Sequence, residues 1–216
     1  MPHVWPLHLR DGALLLRPLR RRDRREYLAL RLRNQEWLAP WDATDPLRGA
    51  QRPSFPVLVR WNDRQSRLLL GLHLAIEWDG QLAGQISLGP IQQGAQSTAT
   101  LGYWVDRDHA GQGIAPLACA LLIDHAFAEL GLHRVDAAIR PENAASRRVV
   151  EKLHLREEGL HRRFIHVDGQ WRDHLLFALT AEEVPAHLLD DTGRGVVRRL
   201  RLEHRIPPPR GRVATS

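Results

Sequence analysis

Apolar and polar positions change period several times along the chain, and each change predicts an element. Ala13 to Leu19 (ALLLRPL) reads as a first strand. Asp23 is placed to cap a helix running to about Asn34, with Tyr27, Leu28, Leu30 and Leu32 among its apolar positions. Trp37-Leu-Ala-Pro-Trp41 is aromatic and kinked by Pro40, so it predicts a loop or a short helix. A further helix is expected from Ser54 to about Leu70. The pattern then turns extended: Gly71–Trp78 and Gln81–Ile91 are two strands joined by the hairpin dipeptide Asp79-Gly80, and Thr98–Val105 is another.

From Ile114 the apolar residues return to helical spacing (Ile114, Leu117, Ala118, Leu121, Leu122, Ala126), which predicts a one-faced helix stopped at Gly131. Pro116 is tolerated in its first turn. Arg134–Ile139 is a short strand, and Asn143 caps a helix ending near Leu153. A second hairpin, Glu157–Val167 with Trp171–Leu179, turns at Asp168-Gly169. Thr180-Ala-Glu-Glu183 is a capping box that predicts a last helix. Residues 190–195 (DDTGRG) read as a linker, and Pro207-Pro-Pro209 as the start of a disordered tail. A mostly antiparallel sheet that receives a strand–helix–strand crossover in its second half is an α/β arrangement. The expected organisation is one domain over residues 1–189 and a basic, partly disordered extension over 190–216. In that extension Leu200, Leu202 and Ile206 alternate with Arg199, Arg201 and Arg205, which leaves an edge strand or a homodimer contact open.

Composition narrows the class. With 216 residues, 43% of them apolar, the chain can bury a proper core. The least interrupted apolar stretch, Gly113–Ile123, is short of the ~20 residues of a membrane span, and the N-terminus lacks signal-peptide character, so the expected location is the cytoplasm. The single cysteine, Cys119, offers neither a disulfide nor a metal cluster. None of the twelve His forms a His-x-x-x-His pair on one helix face, which argues against a metal. The net charge of +6 is concentrated at the ends: residues 1–33 hold nine Arg against three acids, and residues 194–216 hold seven against one. Such ends suit an acidic partner such as RNA or a ribosomal surface. Since 30 of the 31 basic residues are Arg, a codon bias explains them more simply, and direct nucleic-acid binding is the lesser reading.

Chemistry concentrates in Leu101-Gly-Tyr-Trp-Val-Asp-Arg-Asp-His-Ala-Gly-Gln-Gly-Ile-Ala115. A strand runs into a glycine-containing loop that opens a helix at once. Gly111 and Gly113 let main-chain N–H groups face a ligand, and the helix N-terminus adds partial positive charge, a seat for an anion such as a pyrophosphate. Glycines of this kind also serve turn geometry alone. Neither the dinucleotide fingerprint nor the Walker pattern fits. The second segment, Arg140-Pro-Glu-Asn-Ala-Ala-Ser-Arg-Arg-Val-Val-Glu-Lys-Leu153, follows the next strand and should lie beside the loop.

These two segments resemble motifs A and B of the GCN5-related N-acetyltransferase (GNAT) superfamily. Ala110-Gly-Gln-Gly113-Ile-Ala115 matches motif A, and Asn143 the Asn that opens the motif B helix. Asn143-Ala-Ala-Ser146, the Leu16–Leu19 strand and Trp37–Trp41 resemble the RimJ/RimL branch, which acetylates the N-terminal residues of ribosomal proteins. The likeness covers roughly residues 10–182. It implies the GNAT fold, a central, mostly antiparallel mixed sheet of about seven strands with flanking helices, and acetyl transfer from acetyl-CoA to the α-amino group of a protein or peptide N-terminus. It further implies that Gln112, Gly113, Ile114 and Ala115 hold the pyrophosphate by their N–H groups, with Gly111 shaping the turn. Main-chain groups of Trp104 and Val105 would pair with the pantetheine arm, Asn143 would hold its amide, and Ser146 would be the proton donor to sulfur. Asn143 as a plain cap and Ser146 as a small residue at a crowded helix start stay open beside those roles. Tyr103 alternates away from Trp104 and either points into the site or packs in the core. His109 borders the loop, and Trp37 and Trp41 suit either a peptide slot or a core corner.

Three departures from the family pattern bear on this. Ala110 stands where motif A usually has Gln or Arg. Val150 occupies the place of the Tyr that many GNAT enzymes use as acid. His154 replaces a usual helix-stop Gly. Two other functions remain in view: a GNAT enzyme for a small amine (polyamine, amino acid or drug), and a non-enzymatic ribosome- or RNA-associated protein, against which the intact loop argues.

Overall fold

A computed structural model describes residues 5–47, 53–203 and 205. In chain order the elements are β1 (Leu9–Asp11), β2 (Leu14–Pro18), α1 (Arg24–Arg33), α2 (Gln35–Leu38), α3 (Phe55–Arg67), β3 (Leu72–Trp78), β4 (Gln81–Gln92), β5 (Thr98–Val105), α4 (Ile114–Ala128), β6 (Arg134–Ile139), α5 (Ala144–Lys152), β7 (Arg156–Val167), β8 (Gln170–Thr180) and α6 (Val196–Leu202). Eight strands form one sheet in the order β1-β2-β3-β4-β5-β6-β8-β7, antiparallel at every step except β5–β6. The strand beyond the expected seven is β1, three residues whose mixed LRD sequence carries no alternation to read. Both hairpin turns form where Asp79-Gly80 and Asp168-Gly169 predict them, each with positive φ at both residues.

The parallel step positions the site. β5 and β6 pair only over Thr98–Thr100 with Arg134–Asp136, while β5 keeps its ladder with β4 as far as Val105. Beyond Thr100 the two parallel strands part, and a cleft opens through the sheet. α4 is the crossover between them.

The sheet buries apolar residues on both faces. On one, Leu19, Tyr27, Leu30, Phe55, Ala75 and Leu82 pack beneath α1 and α3. On the other, α4 lies across the main core. The spacing predicts a one-faced α4; instead Leu117, Ala118, Cys119, Ala120, Leu122, Ile123 and Ala126 are all buried. The cause is α6, which lies against α4 with Val196 and Leu200 buried in the same cluster. Residues 196–202, expected in an extension beyond 189, thus pack as part of the core and are helical rather than an edge strand. The capping box at Thr180 forms, but it opens only a one-turn 3-10 helix, Ala181–Glu183, because Pro185 cannot continue it. Ile206 and the Pro207–Pro209 run lie outside the described residues.

At the end of α5, His154 takes the left-handed conformation (φ +58°) that a helix-stop Gly would supply. Its imidazole Nε2 lies 2.7 Å from the Glu203 carboxylate, tying this turn to the end of α6.

Candidate active site

The loop after β5 is held from below by a buried acid. Asp106, fully buried, accepts hydrogen bonds from Arg33 Nη2 (2.5 Å) and Asn34 Nδ2 (2.7 Å), and His109 Nδ1 lies 3.1 Å away. Burial alone would push this carboxyl group's pKa up; the bonds from Arg33, Asn34 and His109 outweigh it and hold the group below the usual range, so it stays charged. Asn34, also buried, accepts the Arg107 N–H at 2.8 Å, so the junction of α1 and α2 fixes where the loop begins. His109, a sequence candidate, is thereby tied to Asp106.

From that anchor the chain runs through Gly111 (φ +79°) to Gly113 (φ +80°), the left-handed residue that caps α4. Nothing lies within 4 Å of where a Gly111 β-carbon would sit, so glycine is needed there for its φ, not for space. Gly113 has no side chain to bond the first-turn amides, and Pro116 brings no N–H. Among the described residues no acceptor meets the N–H groups of Gly111, Gln112, Gly113, Ile114 or Ala115. They form an unpaid row of donors at the positive end of a 15-residue helix, open to the cleft and suited to a pyrophosphate.

The cleft has a volume of about 660 Å³. Asn143 caps α5 through Oδ1, which accepts the Ser146 N–H at 3.0 Å. Its Nδ2 remains for a ligand, so capping and binding are compatible. Ser146 lines the cleft one turn further in. Val150, in the place of the usual acid, is fully buried in the core and takes no part. Tyr103 points to the same side, toward α4 and α5; its hydroxyl is buried beside Ser146 without a hydrogen-bond partner of normal geometry. Cys119, fully buried with its thiol pKa pushed up by that burial, is a core residue and not a nucleophile.

One main-chain expectation changes. A β-carbon on Gly84 of β4 would meet the Trp104 carbonyl oxygen at 2.1 Å, so that carbonyl is turned onto β4 and not into the cleft. The Asp106 N–H likewise donates to Ala83 O of β4 at 2.7 Å. Alternation then directs the Val105 main-chain groups to the free edge of β5. Of the pair, only Val105 presents its main-chain groups to the cleft.

The Trp104 indole instead faces the α1 side of the sheet. The Arg31 guanidinium sits 4.8 Å over its ring and pairs with Asp42 at 2.6 Å. Trp37, Leu38 and Trp41 form the adjoining wall, with Arg140 stacked 5.4 Å from Trp41 and bonded to Pro40 O, so the two Trp line the cleft mouth. Gln85, bonded by the Tyr27 hydroxyl, Ser87 and His73 complete this side. Burial lowers the His73 pKa to about 4, leaving it neutral at pH 7, and its ring packs tilted against Trp61 with centroids 4.8 Å apart. Glu77 is paired with Arg17 at 2.6 Å and is absorbed by that contact.

Sequence reasoning missed Asp106, Asn34, Gln85 and His73. Asp106 had a signal, an acid directly after an apolar strand and before a glycine loop; Gln85 and His73 lie on strands whose facing only the register decides, and Asn34 sits between two helices where its partner 72 residues on cannot be read. Among the described residues no group of three or more His, Cys, Asp or Glu is placed to hold a metal ion, and no helix is long and apolar enough to cross a membrane.

Known proteins share this fold and much of this sequence. Residues 13–156 match the acetyltransferase (GNAT) domain family. The probable N-acetyltransferase YjcK of Bacillus subtilis is 33% identical over 176 residues, 79% of this chain and 96% of its own length. The [ribosomal protein uS5]-alanine N-acetyltransferase of Escherichia coli is 25% identical over 84% of this chain and 94% of its own. Among solved structures, Mycobacterium smegmatis RimJ in complex with CoA-disulfide superposes with a TM-score of 0.82 at 37% identity, covering 93% of this chain and 96% of that one.

Proposed function

We propose, from the premise that this chain belongs to the GNAT acetyltransferase family, that its acetyl-CoA-dependent transfer is directed to the α-amino group at the N-terminus of a protein, of the ribosomal-protein alanine type. The observation that carries this reading is the end-to-end likeness to RimJ, with the uS5-alanine enzyme as a second relative. The cleft supports it: the donor row and α5 lie at one side of the sheet opening, and an aromatic mouth built by Trp37, Trp41 and Trp104 lies at the other.

The chemistry asks little of a base. An α-amino group titrates near ~8, so a useful fraction is neutral at physiological pH and attacks the thioester directly. The work left to the protein is to position the two reactants and to manage the departing sulfur. The N–H groups of Gln112, Gly113, Ile114 and Ala115 take the pyrophosphate, Asn143 Nδ2 and the Val105 main chain take the pantetheine arm, and Ser146 is the hydroxyl for the sulfur. As the C–N bond forms and the C–S bond breaks, the electron pair goes to sulfur. The nitrogen loses one proton and the sulfur gains one.

Turnover of acetyl-CoA with short peptides beginning in Ala, Ser or Thr, set against spermidine and free amino acids, tests the acceptor. We expect kcat/KM to favour the peptides by at least tenfold, about 1.4 kcal/mol of discrimination. Equal or better turnover of a small amine overturns the protein-terminus reading.

A further inference from the structure

We infer that Tyr103 is a positioning residue for this reaction: its hydroxyl donates to Ser146 Oγ and so aims the serine's own proton at the leaving sulfur. The inference rests on the reading of Ser146 as donor. Its basis is a buried hydroxyl at the wall of the cleft that the fold leaves without a well-formed hydrogen bond. β5 directs Tyr103 and Val105 onto the main core and Trp104 to the opposite face. The Tyr103 ring therefore lies toward α4, near Cys119, and its hydroxyl reaches Ser146 at the first turn of α5. That hydroxyl is shut off from solvent and makes no hydrogen bond of normal geometry, with Ser146 beside it. A buried hydroxyl left unmade is costly, and Phe would fill the same space without that cost.

Serine chemistry supplies the missing use. A hydroxyl has one proton to give and two lone pairs to accept with. If Ser146 Oγ accepts from Tyr103, its own O–H is free to point into the cleft, where the cofactor's sulfur lies in the proposed reaction. Burial, reinforced by the neighbouring Cys119, raises the phenol pKa and outweighs the lowering by Ser146, so Tyr103 stays protonated and able to donate. Tyr103 therefore keeps its proton throughout. Ser146 passes one to sulfur as the C–S bond breaks and recovers one lost by the attacking nitrogen, directly or through a water. The pairing also fits Val150, which leaves α5 without an acid of its own at that position.

The test is a double-mutant cycle in the full chain, read by steady-state kinetics and thermal melting. Tyr103→Phe should lower kcat about tenfold, a part of the range general-acid groups command. KM for acetyl-CoA should stay within about twofold, and the melting midpoint should fall only slightly, as expected for the loss of one buried hydrogen bond. In a Ser146→Ala background, Tyr103→Phe should have no further effect, because its target is gone. Ser146→Ala keeps the Asn143 cap, which uses only the main-chain N–H, so it should fold. Slow Ser146→Ala with full-speed Tyr103→Phe overturns the inference and leaves the donor reading standing. Additive losses overturn it as well, giving Tyr103 an independent role. Full kcat in Ser146→Ala removes the donor reading itself and this inference with it.

Discussion

The carboxylate of Asp124, in the middle of α4, caps the helix that begins at Val196. Its Oδ1 accepts the N–H groups of Gly195 and Val196, both at 2.8 Å, and its Oδ2 accepts Val197 N–H at 3.0 Å. A buried acid in an apolar helix thus finds its partners in an element more than seventy residues away. Through it, and through an Arg201–Asp11 ion pair that reaches β1, the C-terminal helix is locked onto the helix whose other end carries the donor row.

Removing the cap should therefore unfold more than the C-terminus. Asp124→Ala strands two buried N–H groups and a half-buried third, and should cost about 2–4 kcal/mol. Leu200→Ala, a cavity at a fully buried site, should cost about 2–4 kcal/mol as well. Truncation after Arg194 exposes the outer face of α4 and should leave little folded protein. Urea unfolding followed by circular dichroism checks all three; a truncated chain with native stability would show that α6 is an appendage after all.

Asn143→Ala separates two roles by their readouts. The cap bond to Ser146 N–H is lost, which should cost about 1 kcal/mol of stability. KM for acetyl-CoA should rise severalfold with a smaller change in kcat, since Nδ2 is placed to bind and not to react. Asn143→Asp or Ser restores the cap without the amide donor. Either variant should recover the melting midpoint while KM stays raised, and recovery of both would make Asn143 a cap only.

What the sequence made legible was local. The Asn143 cap, the Asp79-Gly80 and Asp168-Gly169 turns and the glycines before α4 each act within a few residues, where spacing and residue type decide the conformation. What stayed hidden depended on partners distant in the chain. Apolar residues at Cys119, Ala120 and Ile123 break the one-faced pattern of α4, yet nothing nearby announces α6 as their cover. Asp106 and Asn34 make one network across 72 residues. The direction of the Trp104 carbonyl follows from its register against Gly84, which the alternation within β5 does not determine. The cleft was therefore readable as a loop and a helix start, while its lower anchor and its aromatic wall were not.

Gly111 and Gly113 both need positive φ, but their substitutions should differ. Gly111→Ala adds a β-carbon into open space, so its cost is the backbone penalty of about 1–2 kcal/mol. Gly113→Val carries that penalty and also sets a branched side chain at the cap of α4, beside the N–H groups the pyrophosphate would use. Acetyl-CoA affinity by calorimetry should fall at least tenfold for Gly113→Val, ~1.4 kcal/mol. Undiminished binding by that variant would move the pyrophosphate elsewhere.

His73 offers a pH signature that belongs to one side chain. Its pKa is depressed from the ordinary 6.5 to about 4 because burial against Trp61 disfavours the charged imidazolium. The folded protein then binds a proton less readily than the unfolded chain. The corresponding stability is fully present above pH 6.5 and is lost as pH falls from about 6.5 through about 4, the full loss approaching 3 kcal/mol. Other acids titrate over the same range, so the informative quantity is the difference between the native protein and His73→Phe, which keeps a ring against Trp61 but cannot take a proton. Stability measured by urea unfolding at pH 7.5 should differ by no more than about 1 kcal/mol between the two. Between pH 6.5 and 4 the native protein should lose about 3 kcal/mol more than the variant. Parallel stability curves would mean that His73 is solvated in solution and takes its proton near pH 6.5. That outcome would change this wall of the cleft from a neutral surface into one that becomes cationic in mild acid.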